Sequence, residues 1–182
     1  MGIPERAIEL ELKHKIWEAN GEPTLGAAYE ILRDEWRSGD RNRELSLHLM
    51  FLSWYLLTEP AHLTGLDEER VSTDELMAIF NEVHEHATPA KNGDAEVLYV
   101  VALMADFAPW LLGDDATWEA RSREYRILYR ALEPNGIDPA VFDGRGAYGK
   151  YFARMARIKR DGYDAGIGHL LFDEFESICE RP

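Results

Sequence analysis

Gly144-Arg145-Gly146-Ala147-Tyr148-Gly149-Lys150-Tyr151 contains the G-x-x-x-x-G-K spacing of a phosphate-cradling loop. In such a loop backbone amides hold phosphates, the lysine neutralises them, and a following Ser or Thr hydroxyl binds Mg²⁺. Tyr151 stands at the hydroxyl position. A parallel strand should also lead into the loop, and only Ala140-Val141-Phe142 precedes it. The spacing therefore reads as a glycine-bearing turn entering a helix. A softer chemistry remains. Lys150, Arg154 and Arg157 recur at helical spacing, beside Arg145 and the amides of a helix N-terminus. They could bind a phosphate, a carboxylate or an acidic partner; the favoured expectation is that they neutralise the protein's own acidic helices or are solvated.

Two further groups carry chemistry. Glu44 and His48 lie four apart, as do Glu82 and His86, which is a possible imidazole–carboxylate ligand set in a bundle. Neither pair has the E-x-x-H spacing of di-iron bundles, so no metal or other cofactor is expected. His48 borders an apolar run and reads as a packed core histidine. Asp106 sits inside Val100–Trp110, an apolar stretch broken by Pro109. A carboxylate there needs a partner or a raised pKa. The favoured expectation is an arginine partner or a capping role around the proline. No G-x-S-x-G is present, and the one cysteine, Cys179, is poorly placed for nucleophilic work.

The elements that position these residues are helices. Apolar alternation, the mark of a strand, is nearly absent. The pattern predicts helices over about 4–20, 24–37, 41–58, 72–87, 95–112, 116–132, 147–160 and 164–180. Residues 61–71 read as a loop or short turn, and 138–149 as irregular. Ile8, Leu12 and Ile16 form the expected inner face of the first helix. Ala28, Ile31, Leu32 and Trp36 do so for the second, and Leu76, Ile79, Phe80 and Val83 for the fourth. Trp118, Tyr125, Leu128 and Leu132 are expected inward on the helix that carries Arg123, Arg126 and Arg130. Thr24, Ser72 or Thr73, Asp94 and the Asp114-Asp115 pair are the expected caps. The helices around Leu49–Leu57 and Val97–Leu112 are apolar on every side and should be central. Leu25-Gly26-Ala27-Ala28-Tyr29 matches the L-G-x-x-Y fragment of tetratricopeptide repeats, but Glu22 stands where that repeat has Trp and no 34-residue period recurs. It hints at helical-hairpin packing. The expectation is one all-α domain over residues 1–182, a helical bundle or a short stack of helical hairpins with seven or eight helices.

Composition bounds the function. The 182 residues are 46% hydrophobic and 30% charged, a globular composition large enough for a core. One cysteine suits a reducing compartment, and no apolar leader opens the chain, so a cytoplasmic location is expected. No apolar run reaches the length of a membrane span. A net charge of −14 opposes nucleic-acid binding. The charge is uneven: residues 121–160 hold ten bases against four acids. With no catalytic motif, the leading expectation is a protein that acts by contact, as an adaptor, inhibitor or immunity-like protein, with a basic protein partner. The alternative is a small-ligand or anion-binding protein, or an enzyme. Its site would lie between the central helices and residues 121–160, among Asp106, His48, Arg145, Lys150, Arg154 and Arg157.

Overall fold

The computed structural model describes residues 3–15, 21–88 and 93–160, and among these the chain is an all-α helical bundle without strands. The elements are α1 (Glu5–Lys13), α2 (Leu25–Arg37), α3 (Arg43–Thr58), α4 (Ala61–Thr64), α5 (Thr73–Ala87), α6 (Ala95–Phe107), α7 (Pro109–Leu112), α8 (Asp115–Leu132), a 3-10 turn (Pro139–Phe142) and α9 (Gly146–Arg160). Short polar residues start most of the long helices by accepting orphan backbone N–H groups. Asn42 takes the Leu45 amide at 2.9 Å, Ser72 that of Glu75 at 3.2 Å, Asp94 that of Val97 at 3.1 Å and Asp114 that of Thr117 at 2.9 Å. Thr24 departs from its expected role. Its hydroxyl donates instead to the Leu10 carbonyl at 2.6 Å, tying the end of α1 to the start of α2.

α3 and α6 are central. Every residue from Leu45 to Leu56 and from Val97 to Ala105 is buried, in a hydrophobic cluster that extends from Ala7 to Ala156. α3 packs on α2 and α5, and α6 packs most heavily on α8. The expected helix over 95–112 is two helices. Pro109 has no N–H to donate, so α6 ends at Phe107 and Pro109 opens α7 as its first residue. The first helix ends earlier than expected, at Lys13, and the expected turn after Pro60 contains α4. Residues 16–20 and the expected last helix lie outside the described residues.

Two helices depart, one wholly and one in part, from the face periodicity selects. α1 turns Ala7 and Glu11 inward and leaves Leu12 largely exposed. α8 buries Trp118 and packs Tyr125 on the core as expected, but Ser122 and Tyr129 are buried in place of Leu128 and Leu132, which face solvent. In α8 the cause is polar. Ser122 Oγ donates to the Ala102 carbonyl at 3.1 Å and also to Asp106, and Arg126 pairs with Asp106, which fixes the rotation of α8 against α6. Gly26 has a packing reason: a Cβ there would meet the Gly65 carbonyl oxygen at 2.3 Å, so α2 begins in backbone contact with the end of α4.

Trp54 lies between the rings of Phe107 and Tyr151, each with its centroid 5.6 Å away. Trp54→Ala should cost about 3–5 kcal/mol in chemical denaturation, because the cavity it leaves is walled by fixed aromatic side chains. His84 of α5 stacks on Phe80 and lies edge-on to Trp118, and its Nε2 is 3.0 Å from the Tyr125 hydroxyl of α8. Burial, reinforced by the Arg121 guanidinium, pushes its pKa down to about 4 from the ordinary 6.5. The unfolded chain therefore binds the proton more readily than the folded one. Stability should fall as pH drops from 6.5 towards 4, and His84→Phe should flatten that slope in urea titrations across the window.

Candidate functional site

Glu11 is the side chain around which the site is built. It is 0% exposed, as a carboxylate can be only when donors meet it. Its Oε1 lies 2.7 Å from His48 Nδ1 on α3, and its Oε2 accepts the backbone N–H of Tyr148 on α9 at 3.2 Å. This is the physical reason α1 buries the face it does: the carboxylate draws Ala7 and Glu11 inward at the expense of Leu12. His48 is 1% exposed and its ring lies 4.7 Å from that of Tyr148, but its Nε2 has no partner among the described residues.

The glycines of the phosphate-loop spacing are explained by this contact. Gly146 opens α9 at φ +62°, and a Cβ there would stand 2.4 Å from Glu11 Oε2. Gly149 lies against the 3-10 turn, where a Cβ would be 2.1 Å from the Phe142 carbonyl oxygen. The anion at this helix N-terminus is the protein's own Glu11. Lys150 is exposed on the outer side of α9.

Tyr148 links this buried pair to a surface network. Its hydroxyl donates to Glu96 Oε1 at 2.5 Å, and burial together with that carboxylate holds the phenol far above its usual pKa. Arg145, with 17% of its side chain exposed, places its guanidinium 4.8 Å from the Tyr148 ring centroid. It donates to Glu44 at 2.7 Å and to Glu96 at 2.5 Å. Arg43 joins the same acids from the start of α3, reaching Asp94 at 2.6 Å, Glu96 at 2.7 Å and Glu44 at 2.9 Å. The first turns of α3, α6 and α9 are thereby tied together by charge-assisted bonds.

The sequence-derived candidates separate in space. His48 and Arg145 meet through Tyr148. Arg154 is half-buried on α9, and Arg157 is exposed with its guanidinium 3.9 Å from Asp143. Asp106 belongs to the α6–α8 contact, where Arg126 and Ser122 hold it. The two Glu–His pairs do not converge. Glu44 is held by arginines, His48 by Glu11, Glu82 accepts from Trp36 Nε1 at 2.8 Å, and His86 Nε2 lies 3.3 Å from the Arg41 carbonyl. Among the described residues no group of three or more His, Cys, Asp or Glu side chains is placed to hold a metal. Glu11, Arg43, Glu96 and Tyr148 are the network members that sequence reasoning did not single out. Nothing in the sequence distinguishes Glu11 from the neighbouring Glu5 and Glu9.

Beside the network lies an open cleft of about 450 Å³, lined by Asp94, Glu96, Glu133, Asp138, Ile137 and Val141 among others. Asp94 and Glu96 are held by the arginines. Glu133 and Asp138 have exposed side chains and no ion-pair partner among the described residues. Apolar groups edge the cleft: Val141 is 47% exposed, and Leu132, 45% exposed, stands against the lining residue Gly93. No known protein family, curated protein or solved structure matches the chain.

Gly146→Ala should destabilise the protein by about 2 kcal/mol or more, since it combines a disfavoured φ with a clash on a buried carboxylate. Thermal and urea unfolding of the variant check this.

Proposed function

We propose that the protein acts by contact, taking a basic segment of a partner protein into the cleft beside Asp94 and Glu96. The observation that carries this reading is the pairing of chemistries at one place. Exposed Leu132 and Val141 flank a cleft in which Glu133 and Asp138 have no cation partner among the described residues. A lysine or arginine side chain suits such a place, laying its methylene stem on the apolar rim and its charged head on the carboxylates. A net charge of −14 speeds the encounter with a basic partner. Exposed apolar side chains rimmed by polar ones mark contact surfaces.

Anion binding by the basic segment has weaker support. Glu44 and Glu96 already engage the Arg145 guanidinium, and Glu11 fills the α9 N-terminus. In keeping with the contact reading, no helix among the described residues is long and apolar enough to cross a membrane.

Fluorescently labelled Lys- and Arg-containing peptides, titrated with the protein at low and moderate salt, provide the test. Basic peptides should bind at least ten times more tightly than neutral ones of the same length. The affinity should weaken with salt and fall at least tenfold in the Glu133→Lys, Asp138→Lys double variant. Equal binding of basic and neutral peptides, or an unchanged affinity in the double variant, would overturn the reading.

A further inference from the structure

The C-terminal end of α1 is fastened by a bond that tolerates only one protonation state. His14 Nδ1 accepts the backbone N–H of Thr24 at 3.3 Å. A backbone amide can only donate, so this nitrogen must carry a lone pair. The same end is also fastened by the Thr24 hydroxyl on the Leu10 carbonyl and by the bridge between His14 and Glu22, in which the Lys15 amide donates to the Glu22 carbonyl at 3.3 Å. Among the described residues the charged groups near His14 are Lys150 on α9, the exposed Glu22 across the bridge, and Lys13 and Lys15 beside it in the chain. α1 is also a short helix with a bare start. Pro4 supplies no side-chain cap, and only Ala7 and Glu11 of its nine residues are buried.

We propose that α1 is an acid-released strap, clasped at His14 in its neutral form and let go when His14 takes up a proton. Protonation removes the acceptor from the Thr24 amide and sets a second positive charge near Lys150. Burial, and then Lys150, hold the His14 pKa below the ordinary 6.5, so the proton is bound more readily with α1 detached than with it docked. Docking of α1 therefore weakens as pH falls below that value. Release withdraws Glu11 from His48 and from the Tyr148 amide. Because Tyr148 also holds Glu96 in the wall of the cleft, detachment loosens that wall. This last consequence rests on the cleft being the contact surface; the release of the strap does not.

Hydrogen–deuterium exchange of the full chain at pH 7.5 and pH 5.5, corrected for the intrinsic effect of pH, reads the strap without any partner. The amides of α1 should lose at least tenfold more protection than those of α6 in the same sample. His14→Asn, whose side-chain oxygen can accept from Thr24 without titrating, should abolish the difference. Loss of protection in step across α1 and α6, or an undiminished difference in His14→Asn, would overturn the proposal. If that variant fails to fold, the wild-type ring of His14 followed by NMR replaces it. A His14 titration midpoint coinciding with the release of α1 supports the clasp, and a separate midpoint refutes it.

Discussion

A carboxylate buried among apolar side chains is tolerable only where donors have been arranged for it, and Glu11 has two. One is an imidazole on the central helix α3; the other is the amide of Tyr148 in the first turn of α9, where the helix dipole also favours negative charge. The second donor would not serve if α9 approached from another angle. That angle is set by Gly146 and Gly149, which remove the two Cβ atoms that would strike Glu11 and the Phe142 carbonyl. The choice of face on α1, the left-handed start of α9 and the burial of Tyr148 are consequences of one buried charge. Breaking such a pair on one side leaves the other group uncompensated, which is why its components behave as a unit.

From Tyr148 outward, the same logic is repeated with better solvated groups. Arg43 and Arg145 spend their guanidinium groups on Glu44, Asp94 and Glu96, so at Arg145 the basic segment 121–160 neutralises acids on the protein's own central helices. Exposed pairs of this kind add little stability one at a time, but a network with planar forks holds geometry. Here it keeps Asp94 and Glu96 in place along one wall of the cleft, while Glu133 and Asp138 have no cation among the described residues. Among these residues the acidity is balanced at one position and left open at the next.

The all-α class and most helix positions were legible because they depend on local patterning and on caps such as Ser72, Asp94 and Asp114. The central place of α3 and α6 was legible for the same reason: a helix apolar on every side has no face to give to water. What could not be read was rotation. α1 and α8 both present an apolar stripe, yet each is turned by polar bonds to distant residues, Glu11 to His48 and Tyr148, and Ser122 and Arg126 to Asp106. Sequence periodicity ranks faces by hydrophobicity and is blind to a partner far along the chain. The glycines of residues 144–149 were conspicuous for their spacing, but the reason for them lies in Glu11 and Phe142, which no spacing rule connects. Asp106 was an exception in the other direction, since an acid within an apolar run already demands a cation.

The contact between Glu11 and the Tyr148 amide spans 137 residues. On a ribosome adding roughly 5–20 residues each second, Glu11 is made on the order of ten seconds before the amide that receives it. Through that interval α2, α3, α5 and α6 can assemble, but α1 has only half of its docking site, and His48 faces a gap where α9 will lie. α1, made before the helices it docks against, is thus among the last of these elements to find its place. The nascent protein passes through a stage in which α1 and the side of the core that α9 covers remain open to whatever else is nearby.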